Sequence, residues 1–371
     1  MMSCVSWFLK CLRCGLELPV PVLDACPRCG GVLVVEYTNP VFRVNRGEHG
    51  IWRYASLLPG FTNRISLGEG LTPIGKVNGV IVKNEKFNPT GSYADRASAV
   101  IASYVKNSGA TRVSLDYFPD FTRSTLHYLR DVEVEVVAKS IFEVEPEDMV
   151  FFASRKVEIM KSPSAGYLRV GYVNPFTVEG LKTIVFELYE RGVQADYVVV
   201  PAKTGLLALS LYKGLKDLNE AGIEYGCDIV AATVKGLGVQ LVRGVSGIRI
   251  VEIPDQEVYE SFKQLVARGF KIKLLAALSY HVARVLGNAV AVMTMGFKPP
   301  GKGERSAVKQ AVLEVLARRQ PLTAYEIWRE RPIYTLRAVY KAVKDMELRG
   351  EVCYEVVSKG KRKVKLYSIC R

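Results

Sequence analysis

From Ile51 to Pro299, short β-branched apolar runs alternate with amphipathic stretches, and few architectures accept that alternation. GVIVKNE, TRVSLDY, VEVEVVA, DYVVVPA, CDIVAATV and NAVAVMTM read as buried strands; IASYVKNSG, FTRSTLHYLRD, LKTIVFELYERG, LLALSLYKGLKDLNEAG and VYESFKQLVARG read as helices. Strand and helix in turn predict a doubly wound α/β sheet, in which ligands bind at the carboxyl ends of the strands. With 371 residues, 49% of them hydrophobic, the chain can bury the core that such a sheet needs. It carries no apolar run of about 18 residues, and its start, MMSCVSWFLKCLRCG, does not follow a signal-peptide pattern. A soluble cytoplasmic protein without membrane contact is expected.

Residues 1–40 read as a self-contained unit. Four of the eight cysteines form two C-x-x-C pairs, Cys11 with Cys14 and Cys26 with Cys29. Each pair turns two thiolates toward one point, and four soft ligands in tetrahedral array suit a structural zinc ion with no open coordination position. The expectation is a zinc ribbon. Cys4, Cys227, Cys353 and Cys370 are scattered and receive no role, and His49, His127 and His281 lack catalytic or ligand spacing.

FKPPGKGE, Phe297 to Glu304, reads as a linker between a body at 41–299 and a C-terminal domain at 305–371. The net charge is +14, and Gly301 to Arg371 holds 17 Lys and Arg against 8 Asp and Glu, nine of those fourteen charges. SAVKQAVLEVLARR places Val308, Val312, Val315 and Leu316 on one helical face; Thr323 and Glu326 have capping-box spacing. In YTLRAVYKAVKDMELRGEV, Leu336, Val339, Val343 and Met346 face inward and Arg337, Lys341 and Lys344 outward. VCYEVV and KVKLYSI, joined by SKGKR, complete a winged helix-turn-helix. Arg337, Lys341 and Lys344 would face a groove, with Lys359, Lys361, Arg362 and Lys363 on the wing for phosphates, so DNA or structured RNA is the expected partner.

Several central motifs resemble, in order, those of threonine synthase and its relatives among the fold type II pyridoxal-phosphate enzymes. LGEGLTPI (Leu67 to Ile74) is similar to the family's LGEGNTPL, KNEKFNPTGSYADR (Lys83 to Arg96) to its NPTGSFKDR, and YVNPFTVEGLKTIVFEL (Tyr172 to Leu188) to its NPYRIEGQKT helix. VVVPAKTGLLALSLYKGLKDL (Val198 to Leu218) is similar to its VPVGNGGN phosphate loop and the helix after it. IPDQEVYESFKQLVARGF and VMTMGFK resemble the late helix and the TGHGLK segment. The resemblance implies a two-lobed, tryptophan synthase β-like α/β body with a small zinc ribbon and a C-terminal winged helix.

In that family the motif lysine forms a Schiff base with the cofactor and then moves protons; here the position is Ala94, which offers neither amine nor titratable group. The asparagine of the family's SSGNTGAS loop is matched by Asp120, after Pro119, and the phosphate loop reads KTGLL, with Leu206 and Leu207 where small residues would let amides approach. Asp120, Lys203, Thr204, Gly205 and Thr294 are therefore vestigial cofactor contacts, and Tyr93 and Arg96 scaffold. The expectation is zinc but no pyridoxal phosphate, a cleft for a small anionic ligand, and a catalytically inactive homologue that binds nucleic acid as a regulator or nucleoprotein factor, as a homodimer. Two alternatives stay open: an active lyase using a relocated lysine, with Lys83, Lys86 and Lys203 the nearest by sequence, and a protein-interaction scaffold.

Overall fold

The computed structural model describes residues 7–19, 21, 23–237, 239–296, 307–330, 332, 334–348, 351–359 and 362–370. They form two compact units, Met1–Phe297 and Lys298–Arg371.

The first unit begins with an antiparallel sheet of β1 (Trp7–Cys11), β2 (Glu17–Leu18) and β3 (Leu33–Tyr37), ordered β2-β1-β3. It is not self-contained. Leu9, Leu33, Val34 and Val35 lie in the same apolar core as the helices behind it, and the Trp7 ring meets Phe176 edge-on at 6.0 Å.

Two further sheets build two lobes. The larger joins β4 (Ile74–Val77), β5 (Val80–Asn84), β10 (Tyr197–Pro201), β11 (Asp228–Val234), β12 (Ile248–Ile253) and β13 (Ala289–Met293) in the order β12-β11-β10-β13-β5-β4, all pairs parallel except β4 with β5. The smaller is wholly parallel, ordered β8-β7-β6-β9 from β6 (Arg112–Asp116), β7 (Glu133–Val137), β8 (Glu158–Met160) and β9 (Leu168–Val170). Helices cover both faces of a parallel sheet, so its inner strands are apolar throughout; Val198, Val199 and Val200 of β10 are fully buried.

Each strand-like run expected between Val80 and Met293 is a strand, and each expected helix lies within α1 (Asp95–Ser108), α2 (Phe121–Tyr128), α4 (Pro175–Glu190), α5 (Leu206–Glu220) or α6 (Asp255–Ala267), give or take a terminal turn. Additional elements are β8, β9, β12, α3 (Pro146–Ser154) and α7 (Ala276–Leu286). β8 and β9 have three residues each, too few to establish a period. Asn174 caps α4 by accepting the Thr177 amide at 2.9 Å, with Pro175 in the first helical position. α1 crosses α4 so closely that a Cβ at Gly180 would lie 2.2 Å from the Arg96 carbonyl oxygen; only glycine fits there.

The second unit packs α8 (Ala307–Arg318), α9 (Ala324–Glu330) and α10 (Leu336–Leu348) around Val312, Leu316, Ile327, Val339, Val343 and Met346. An antiparallel hairpin of β14 (Val352–Lys359) and β15 (Arg362–Ile369) closes this core with Val352 and Tyr367. The capping box forms as expected: the Glu326 amide donates to Thr323 Oγ1 at 3.1 Å and the Thr323 amide to Glu326 Oε2 at 2.7 Å. Among the described residues no helix is long and apolar enough to cross a membrane.

Candidate functional site

The segment that resembles a cofactor-attachment motif folds into a turn and the start of α1. Asp95 accepts the Thr90 amide at 2.6 Å and the Ser124 hydroxyl at 2.6 Å, tying the turn to α2. Asn88 accepts the Gly70 amide at 2.9 Å and so joins the turn to the LGEG segment. Arg96 is fully buried between Glu85, at 2.7 Å from Nε, and Glu187, at 2.6 Å from a terminal nitrogen. Lys83 Nζ completes this box at 3.0 Å from Glu85 and 2.9 Å from Glu187. Burial alone would raise the Glu85 carboxyl, but Arg96 and Lys83 outweigh it and hold the group well below the usual carboxylate range. Arg96 is thus scaffold, as its sequence context implies. Lys83 is removed from the candidates for a relocated lysine, because its ammonium is enclosed by two carboxylates and Thr72.

Beside Ala94, itself 1% exposed, opens a cleft of about 140 Å³. Its walls include Tyr93, Phe118, Tyr172, Leu206 and Leu207, and its polar lining Asp120, Glu145, Lys203, Thr204, Lys273 and Thr294. All five residues expected as vestigial contacts, Asp120, Lys203, Thr204, Gly205 and Thr294, therefore come together. Phe118 and Tyr172 stack at 3.8 Å with their planes 4° apart, and the Tyr172 and Tyr93 hydroxyls lie 2.9 Å from each other. Gly205 takes the left-handed conformation, φ 93°, before α5. The Leu206 amide behind it already donates to Thr204 Oγ1 at 3.3 Å, and Leu206 and Leu207 are buried.

The acidic side of the cleft is ion-paired. Asp120, at φ 64° in a region that disfavours a side chain, receives Arg123 at 2.6 Å and Lys273 Nζ at 3.1 Å. Lys273 also reaches Glu145 at 2.8 Å; burial would lower its ammonium, yet Asp120 and Glu145 outweigh this and raise it. An amine so held is protonated and not nucleophilic. Thr294 is 2% exposed, and its hydroxyl has no hydrogen-bond partner among the described residues. Lys86 does not line the cleft: its methylenes lie against Gly296, and burial and then Lys271 lower its ammonium. Lys203 does line it. Sequence reading missed Lys273, Glu145, Tyr172 and Phe118, which reach the cleft from four separated segments with no local signature.

A second cluster lies on the N-terminal sheet. The sulfurs of Cys11, Cys14, Cys26 and Cys29 are all within 4.8 Å of one another, with Cys11 to Cys29 at 3.5 Å and Cys14 to Cys26 at 3.8 Å. A tetrahedral ion with zinc–sulfur bonds of about 2.3 Å sets its sulfurs about 3.8 Å apart, so these four residues fit zinc. In the second unit Arg337, Lys341, Lys344 and Lys363 are exposed, and none of them is ion-paired among the described residues. Lys359 and Arg362 pair across the hairpin end by backbone; their side chains, and Lys361 entirely, lie outside the described residues. Cys353 and Cys370, given no role from sequence, form a disulfide across the hairpin base. Their signal was their placement at the outer ends of the two strand-like runs.

The histidines are structural or partly solvent-facing as expected. His281 Nδ1 is 2.9 Å from the Ser261 hydroxyl and its Nε2 2.9 Å from Glu257, while His127 stacks on Phe151.

No family model matches the chain. It is 25% identical over 276 residues to the threonine synthase of Methanosarcina acetivorans, covering 62% of this chain and 68% of that one. It is also 25% identical over 256 residues to the threonine synthase of Methanocaldococcus jannaschii, covering 58% and 62%. The chain thus spans about two thirds of the length of the curated relatives it matches. The structure of maize serine racemase superposes with a TM-score of 0.52 at 14% identity, covering 67% of this chain and 93% of that one; cysteine synthase from Entamoeba histolytica gives 0.50 at 14%, covering 63% and 90%. The body has the fold type II architecture. Within that fold Ala94, at the start of α1, Pro119 and Asp120 ahead of α2, and KTGLL, which runs into α5, are places where this sequence departs from its resemblance.

Proposed function

We propose that this chain is a nucleic-acid-binding protein built on a threonine synthase-like, fold type II body that does not perform lyase chemistry. Pyridoxal phosphate does not fit the cleft. About 140 Å³ falls below the roughly 300 Å³ at which small-molecule sites begin, the buried Leu206 and Leu207 line it where the resemblance would put small residues around a phosphate, and Ala94 supplies no amine. The cleft suits a smaller anion, with Lys203 and Thr204 at its mouth and the unpartnered Thr294 hydroxyl inside. The cysteines hold a structural zinc, in keeping with their spacing and their sulfur separations. In the second unit, three helices and a hairpin make a winged helix whose third helix is α10.

The observation that carries the nucleic-acid reading is the stripe of Arg337, Lys341 and Lys344, exposed on that helix and without an ion pair among the described residues. Cations without carboxylate partners release counterions when they meet phosphates. Sequencing the nucleic acid that copurifies with native protein, together with gel shifts across a salt series, tests it. Bound DNA or RNA with affinity that falls steeply with salt is the expected result; no salt-dependent shift at low ionic strength would favour a protein-interaction scaffold.

A second reading, an active lyase with a relocated lysine, draws on the relatives, which are threonine synthases, and on Lys203 at the cleft. Incubation with pyridoxal phosphate, borohydride reduction and peptide mapping separate the two. The first reading expects no pyridoxyl lysine in the cleft, and stoichiometric label on Lys203 would support the second.

A further inference from the structure

The second unit carries large aromatic side chains in the middle of its unpaired cations. On α10, Arg337, Tyr340, Lys341 and Lys344 follow i, i+3, i+4, i+7 spacing and form one stripe. Tyr340 is 53% exposed, and its ring meets no other ring among the described residues. Alternate residues of a strand share a face. Val352 and Tyr367 are buried in the core, so their face of the hairpin, continued beyond the core, presents Tyr354, Val356, Lys363 and Lys365. Tyr354 and Val356 are 44% and 55% exposed.

Stripe and hairpin face are neighbours. Lys365 reaches Glu347 of α10 at 2.8 Å and lies 3.5 Å from the Tyr354 ring centroid. The Tyr354 and Tyr367 rings are 6.2 Å apart. The acids leave this face positive: Asp345 is paired with Lys309, Glu347 with Lys365, and Glu355 belongs to the opposite side of the hairpin.

A duplex hides the faces of its bases and shows only their edges in its grooves, so an exposed phenol ring gains little stacking there. An unpaired strand offers both base faces to aromatic side chains and its phosphates to cations. We propose that the face shared by α10 and β14 binds an unpaired nucleic-acid strand, with Tyr340 and Tyr354 stacking on bases and Arg337, Lys341, Lys344 and Lys363 holding phosphates. This rests on the nucleic-acid reading above and narrows it.

The test uses full-length protein, fluorescence anisotropy, and three end-labelled probes of equal length: oligo(dT), oligo(U) and a mixed-sequence DNA duplex, each over a salt series. Either single strand should bind more tightly than the duplex. Tyr340→Ala and Tyr354→Ala should each weaken single-strand binding roughly tenfold without changing its salt slope, and Tyr340→Phe should restore it. Lys341→Gln should instead lower the slope by about one phosphate equivalent. Unchanged melting of each variant by circular dichroism certifies folding, and Tyr340→Phe serves if an alanine variant melts early. Equal or tighter duplex binding, or aromatic variants with wild-type affinity, would overturn stacking while leaving nucleic-acid binding intact. Absence of binding to all three probes at low salt would overturn both.

Discussion

The two units use positive charge in opposite ways. In the first, basic side chains are enclosed by carboxylates: Arg96 and Lys83 between Glu85 and Glu187, Lys182 at 2.6 Å from both Glu179 and Asp217, and Lys273 between Asp120 and Glu145. In the second, Arg337, Lys341, Lys344 and Lys363 face solvent with no carboxylate paired to them among the described residues. An enclosed cation shapes the protein; an exposed, unpaired one costs little stability to keep and remains available to a partner. The cleft belongs with the first pattern. The box around Arg96 is complete although position 94 offers only a methyl group, so on the proposed reading the frame of a motif and its chemistry are separable.

The largest test of this contrast breaks the box. Arg96→Leu leaves Glu85 and Glu187 facing one lysine in a fully buried site, and breaking a buried pair costs about 3–5 kcal/mol. Urea denaturation should show a loss of that order in the body, whereas loss under about 1 kcal/mol would place the box among dispensable charges. The remaining carboxylates also predict a pH dependence. Glu85 has a folded pKa below its unfolded value, so its stabilisation is complete above the ordinary carboxylate pKa near 4.5 and is lost as pH falls through and below it. Glu69 works oppositely: burial raises its carboxyl to about 7, so its contribution falls as pH rises from about 4.5 to about 7. Glu69→Gln should flatten the upper window and Glu85→Gln the lower one, each read from unfolding free energy against pH.

Next in size is the hairpin disulfide. Cys353 and Cys370 are 17 residues apart, and a crosslink of about that span limits the unfolded chain by about 3 kcal/mol. A unit of this size has a small core, so Cys353→Ser should lower the melting of the second unit markedly and leave that of the body unchanged. Equal melting of wild type and variant under oxidising conditions would show that the helices alone hold the unit.

These contrasts were unequally legible in the sequence. Strand and helix periods exposed the alternating α/β body, because a parallel sheet imposes its pattern locally on each strand; its division into two lobes came only with the motif resemblance. Ala94, Leu206 and Leu207 could be read because each stands inside a motif whose neighbours fix its place. Lys273 and Glu145 could not, since the pairing of Lys273 with Asp120 spans 153 residues of chain and its pairing with Glu145 spans 128, and both follow from how the lobes fold. Arg96 was legible as scaffold, although only one of its partners, Glu85, lies nearby in sequence; Glu187 arrives from α4. The charged stripe of α10 was legible from helical spacing alone, while the place of Tyr354 beside Lys365, which reaches Glu347 of α10, needed the hairpin's register.

The smallest effect on stability should come from the exposed cations, which makes them the sharpest control. Lys341→Gln and Lys344→Gln remove exposed charges with no carboxylate partner among the described residues, so unfolding free energy should stay within about 0.5 kcal/mol of wild type. Their removal lowers self-repulsion on α10, so any shift should be toward stability. If instead either variant destabilised the second unit by more than 1 kcal/mol, the stripe would be structural and the contrast between enclosed and available charge would fail. With stability unchanged, a fall in the salt slope of nucleic-acid binding by about one for each lysine assigns these side chains to phosphates, because a positioning role through the fold could not move the slope without moving the melt.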